Sequence, residues 1–103
     1  MVARGDVWWG EAPDQRGRPY LVVSRDSANL VMRHVLVAPV TTRVRQVPSE
    51  LRLGADEGLP RASVASFDNV QPFPKAMLVR KLGSLAVPRG GDICTAARAT
   101  LDC

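Results

Sequence analysis

What this sequence can do chemically is limited first by what it lacks. It has a single histidine, His34, which excludes a pair of imidazoles working as acid and base. It has no His-x-x-x-His, no Cys-x-x-Cys, no carboxylates at ligand spacing and no glycine-rich phosphate loop of the Walker type. The expectation is therefore no metal and no cofactor. Arginine and hydroxyl groups remain, with room for one carboxylate. They stand at the polar ends of two apolar stretches, Gly17-Arg18-Pro19-Tyr20-Leu21-Val22-Val23-Ser24 and Val35-Leu36-Val37-Ala38-Pro39-Val40-Thr41-Thr42.

Both stretches read as strands. Pro19 fixes its own φ and biases Arg18 toward an extended backbone, so the guanidinium is carried at the lip of a strand rather than in coil. The second strand is nearly continuous in apolar residues, which suits a central place in a sheet. Its Pro39 predicts a bulge or a strand end just before Thr41. If the two strands lie side by side, Arg18 and Thr41 face one pocket.

The remaining elements serve to hold that pocket. Asp6-Val7-Trp8-Trp9 reads as a first strand, with one indole in the core and its neighbour facing out. Gly10 to Gly17 is a polar loop. Residues 24–29 form a helical turn with Ser24 as N-cap and Asn29 as its stop. Strands follow over Pro48–Leu53, Ala62–Phe67 and Leu78–Leu82, with a helical turn near Pro74–Met77. Asp56-Glu57 is expected to be a solvated pair in a surface turn. Asp92 could cap a C-terminal helix whose stripe is Ile93, Ala96, Ala97 and Leu101. At least five short strands with little helix between them indicate a mainly β (α+β) fold, a small antiparallel barrel or sandwich, in one domain over residues 1–103.

Charge points to a partner. Six arginines (16, 18, 25, 33, 43 and 45) against one acid, Asp26, lie between Arg16 and Arg45; elsewhere eight basic residues face nine acidic ones. The window therefore carries +5 and the rest of the chain −1, so the whole excess behind the net charge of +4 lies there. A local basic field of this kind suits a polyanion such as nucleic acid. No apolar run approaches the ~18 residues of a membrane span, and the N-terminus carries charge where a signal peptide would be apolar. A cytoplasmic protein without membrane contact is expected. Cys94 and Cys103 read as free thiols.

The order of these segments resembles the MazF/PemK/Kid family of type II toxin–antitoxin toxins. The resemblance rests on Gly5-Asp6-Val7-Trp8, the loop, Arg18-Pro19 with its strand, and Val37-Ala38-Pro39-Val40-Thr41-Thr42. Further along it includes Gly58-Leu59, Ser63-Val64 through Phe67-Asp68-Asn69, Leu82-Gly83-Ser84-Leu85 and a terminal helix. It implies an SH3-like barrel pairing as a homodimer, and metal-independent cleavage of single-stranded RNA at short sequences. It also implies a cognate antitoxin that lays an extended or disordered tail over the active surface.

By the same resemblance Arg18 and Thr41 match the family's catalytic arginine and threonine, and Asp68 an acid used in one branch. The arginine of that branch, two residues earlier, is Ser66 here. In such chemistry the substrate's own 2′-hydroxyl attacks the neighbouring phosphate, and the protein aligns it and stabilises charge. A planar guanidinium can donate two parallel hydrogen bonds to phosphate oxygens, and Thr41 a third. Arg16, Arg25, Arg43 and Arg45 are candidate phosphate contacts, and the first loop, Gly10 to Gly17, together with Thr42 to Gln46, the candidate contributors to base choice. Two alternatives share the fold: a non-catalytic toxin that poisons DNA gyrase, and an RNA-binding module that does not cut.

Overall fold

Seven strands join one antiparallel sheet in a computed structural model that describes residues 1–101: β1 (Asp6–Gly10), β2 (Arg18–Val22), β3 (His34–Thr41), β4 (Glu50–Leu53), β5 (Ser63–Ser66), β6 (Gln71–Pro74) and β7 (Leu78–Ser84). Neighbours run β4-β5-β3-β2-β1-β7, with β6 also on β3. Two helices complete the chain, α1 (Asp26–Val31) and α2 (Gly91–Leu101). This is the mainly β architecture with a terminal helix that the strand count predicts. Among the described residues, no helix is long and apolar enough to cross a membrane.

Alternation along the strands divides the apolar residues between two cores. Val7, Leu21, Ala38 and Val40 face one side and pack with Leu51, Leu53, Ala65 and Phe67 against Ile93 and Ala96 of α2. Tyr20, Val22, Val35 and Val37 face the other side, where they meet Phe73 and Leu78. Tyr20 and Phe73 stack at 4.6 Å between ring centroids, within the favourable range for an aromatic pair.

β3 carries three partners. One edge pairs with β2, through Tyr20↔Pro39 and Val22↔Val37. β6 takes His34 to Val37 and β5 takes Val40 and Thr41. Pro39 falls where β6 hands over to β5, a place where the ladder is already interrupted. Contrary to the bulge or strand end expected from its sequence context, Pro39 does neither, and β3 runs through to Thr41. β6 is absent from the sequence reading because Gln71-Pro72-Phe73-Pro74 carries two prolines in four residues, which argues against a strand unless a neighbour recruits it.

The sheet closes on itself by contact of backbones. Gly58 has φ +84, and a Cβ there would lie 2.0 Å from the carbonyl oxygen of Leu82; a Cβ on Gly83 would lie 2.4 Å from that of Glu57. Glu57 is the buried acid of this seam, only 4% exposed. It accepts from the Gly54 amide at 2.7 Å and from Arg89 Nη1 at 3.4 Å. The expectation of a solvated Asp56-Glu57 pair is thus wrong for Glu57. Arg89 also donates to the Arg52 carbonyl and pairs with Asp92, which fixes the start of α2 to β4.

Other expectations change for local reasons. Ser24 does not cap α1; its hydroxyl donates to Asn29 Oδ1 and accepts the Leu36 amide. Arg25 holds the cap position instead, without a side-chain bond. Asn29 is buried within the helix rather than ending it, because Nδ2 donates back to the Ser24 carbonyl at 2.9 Å. The two indoles are both half-buried, Trp8 with Nε1 donating to Asp6 and Trp9 against Gly17. Leu101 is 71% exposed, so the buried stripe of α2 stops at Ala96 and Ala97. Cys94 is unbridged, and Cys103 lies outside the described residues.

The seam yields a direct test. Gly58→Ala adds a side chain against backbone and at positive φ, and should destabilise the fold by about 2–4 kcal/mol. A urea unfolding curve that matched the unmodified protein would show that β7 and the turn before Gly58 do not touch as described.

Candidate active site

Continued two residues beyond Tyr20↔Pro39, the β2–β3 register sets Arg18 opposite Thr41. Both side chains then lie on one face of the sheet, since cross-strand partners share a face. They open onto a cleft of about 470 Å³ whose walls include Thr42, Arg43, Arg45, Glu50 and Asp68. Of the residues singled out in the sequence, Arg18, Thr41, Thr42, Arg43, Arg45 and Asp68 are brought together here. Gln46 lines the adjoining larger hollow. Arg16, in the β1–β2 connection, and Arg25, beyond the far end of β2, line neither.

The Arg18 side chain is exposed and makes no hydrogen bond or ion pair among the described residues. A pairing with loop acid Asp14 does not form. Its five donors are therefore uncommitted. Thr41 Oγ1 accepts the Arg43 amide at 3.1 Å, a local side-chain turn of the kind short hydroxyl residues make. The bond uses an acceptor lone pair and leaves the Thr41 hydrogen available. The same hydroxyl thus fixes the start of the loop and can still donate into the cleft.

The loop from Thr42 to Pro48 has no regular hydrogen bonding and is organised instead by Glu50, which sequence reasoning did not single out. Its carboxylate accepts the Gln46 amide at 2.9 Å and the Arg45 amide at 3.1 and 3.2 Å. Gln46 is the one non-glycine residue at positive φ (59°) among the described residues. A left-handed residue turns successive amides toward one point, the concavity of an anion nest, and here the chain's own carboxylate fills it. The left-handed backbone costs about 1–2 kcal/mol, which the charge-assisted bonds offset. The sequence signal was an acid placed shortly after a basic run.

Asp68 sits at the other wall, exposed, with Oδ2 accepting from Ser49 Oγ at 2.8 Å. Ser49 is buried, so it restrains the carboxylate from below. The two carboxylates differ in what they can do. Glu50 is occupied by backbone amides, whereas Asp68 has one neutral donor and keeps its remaining lone pairs for a ligand.

This arrangement has relatives. A family model described as PemK-like, MazF-like toxin of type II toxin–antitoxin systems matches residues 3–100. The chain belongs to that family. A MazF-family protein of Mycobacterium tuberculosis (strain ATCC 25618 / H37Rv), named "Probable endoribonuclease MazF5", is 45% identical over 105 residues, covering 100% of this chain and 95% of that protein. Among solved structures, Mycobacterium tuberculosis toxin MazF-mt6 superposes with a TM-score of 0.86 at 30% identity, over 94% of this chain and 96% of the other. A mycobacterial endoribonuclease in complex with its cognate antitoxin superposes with a TM-score of 0.86 at 25% identity, over 99% and 96%. The MazF-like fold expected from the motif order is the fold observed.

Removing the carboxylate from the nest isolates its contribution. Glu50→Ala should cost about 1–3 kcal/mol in stability and accelerate exchange of the Arg45 and Gln46 amides, read by hydrogen–deuterium exchange. Adding Gln46→Gly, which relieves the positive φ, should recover part of the loss. Unchanged exchange at both amides would exclude Glu50 as the organiser of the loop.

Proposed function

We propose that this chain, as a single toxin domain over residues 1–103, is the toxin of a type II toxin–antitoxin pair and cuts single-stranded RNA at short sequences without a metal. The observation that carries the reading is an unpartnered Arg18 meeting a hydroxyl, Thr41, in one cleft of a MazF-family chain. The relative named an endoribonuclease at 45% identity supports it.

RNA brings its own nucleophile. The 2′-oxygen attacks the adjacent phosphorus, the bond to the 5′-oxygen breaks, and the products are a 2′,3′-cyclic phosphate and a free 5′-hydroxyl. Arg18 clamps two non-bridging oxygens and Thr41 donates to the charge that develops on them. A guanidinium stays protonated through the physiological range and is a clamp rather than a proton shuttle. Asp68 accepts the 2′-hydroxyl proton, because Glu50 is held by the loop amides. Water supplies the proton to the leaving oxygen. Arg43 and Arg45 contact phosphates beside the cut, and Thr42 and Gln46 the bases. Arg16 and Arg25, away from the cleft, meet only a longer RNA.

The toxin works as a homodimer in the cytoplasm. Its antitoxin lays an extended or disordered tail over the cleft; that such a toxin binds an antitoxin is supported by the related endoribonuclease solved in complex with its cognate antitoxin.

The test uses a long mixed-sequence single-stranded RNA and its DNA counterpart, both in EDTA. The chain should cut the RNA alone and leave cyclic phosphate ends. Arg18→Ala should lower kcat by about 10²–10³, with Thr41→Val a smaller loss. Near-normal cleavage by Arg18→Ala, or cleavage lost to the chelator, would sink the assignment.

A further inference from the structure

Arg18, Thr41 and Thr42 also border a second hollow, of about 480 Å³, on the opposite side of the ridge they form. This is the open mouth of the main core. Trp9 pairs across the sheet with Pro19 and Arg80, so these three share a face with Val7 and Leu21 deeper in. Leu59 and Leu82 complete an apolar floor, and Arg61 stands at the rim. Trp9 is half-buried, with the Nε1 edge of its indole against Gly17.

The charges of the two hollows differ. The cleft contains both Glu50 and Asp68, whereas no Asp or Glu lines the mouth. Three guanidiniums surround the mouth, and among the described residues Arg18, Arg61 and Arg80 form no side-chain hydrogen bond or ion pair. The cleft sets Glu50 and Asp68 against Arg43 and Arg45, whereas the mouth has no acid to offset its arginines, so a phosphodiester strand bound at Arg18 and Thr41 meets uncompensated positive charge on the mouth side.

Resting on the nuclease reading above, we propose that this mouth is a nucleotide subsite for the RNA strand leaving the cut. A flanking base stacks on Trp9, and Arg61 and Arg80 hold its phosphates. Aromatic platforms beside basic side chains are the usual way single strands are bound without base-specific bonds. Arg61, Arg80 and Trp9 are therefore binding residues, distinct from the reacting centre.

The test measures affinity for a mixed-sequence 2′-O-methyl RNA of about ten nucleotides, long enough to occupy one such groove and blocked against cleavage, across a range of salt. Arg61→Ala/Arg80→Ala should raise Kd and reduce the slope of log K against log salt by about 1.4, since each lost single-strand phosphate contact removes about 0.7. On cleavable RNA it should raise KM and keep kcat. Trp9→Leu should weaken binding about tenfold or more, with Trp9→Phe retaining most of it. If Trp9→Leu fails to fold, the exposed arginine pair and Trp9→Phe still decide.

An arginine-pair variant with wild-type Kd and salt slope would overturn the subsite while a cutting wild type kept the nuclease reading. A wild type that neither bound nor cut RNA would remove both. RNA affinity unchanged in the variants, with loss only of an acidic peptide from the antitoxin, would give the mouth to the antitoxin and overturn the proposal.

Discussion

Antiparallel pairing of β2 with β3 in a single register is the constraint on which the site depends. Tyr20↔Pro39 and Val22↔Val37 place apolar pairs on one side of the sheet, and the same spacing delivers Arg18 and Thr41 to one cleft. A slip of one residue would turn every β2 side chain to the opposite face. Leu21 would leave the main core and Tyr20 would lose Phe73. The register is thus enforced by the buried residues Tyr20, Leu21 and Val22 that follow Arg18 along β2. The cleft can then expose an arginine with no partner of its own, since its place is set by neighbours along the strand.

Charge in this region is compensated unevenly. The basic loop after Thr41 carries an internal counter-ion, Glu50, which holds its amides and shapes its path. Arg18 and the arginines around the barrel mouth have none. One wall is consequently fixed by the chain itself, and the other presents a field that a ligand must complete. Low-dielectric apolar floors beneath such charges strengthen their action on a bound anion.

Local signals made much of this legible. Arg18-Pro19 before an apolar run, and Thr41-Thr42 after one, each mark a polar group at a strand end. Their juxtaposition followed from assuming that the two strands pair. The signals failed where distant residues decide. β6 forms despite two prolines because β3 offers it an edge. Glu57 is buried because β7, remote in sequence, crosses over its turn. Ser24 has the composition of a helix cap, but Asn29 and Leu36 compete for its hydroxyl. Glu50 is a different case: its partners are close in sequence, but they are backbone amides, and beyond an acid after a basic run they leave no pattern of side-chain types. Asp68 was reached only through the family resemblance, and its tether, Ser49, through the structure alone.

The pairing of β1 with β7 has a consequence in time. Trp8 and Trp9 sit opposite Lys81 and Arg80, and Val7 opposite Gly83, so the first strand made by the ribosome waits for the last before its second edge is covered. The mouth of the barrel needs Trp9 from one end of the chain and Arg80 from the other. Synthesis proceeds at ~5–20 residues per second, and through most of it the growing chain cannot assemble the whole surface. This hollow therefore closes only once β7 has been made and paired with β1.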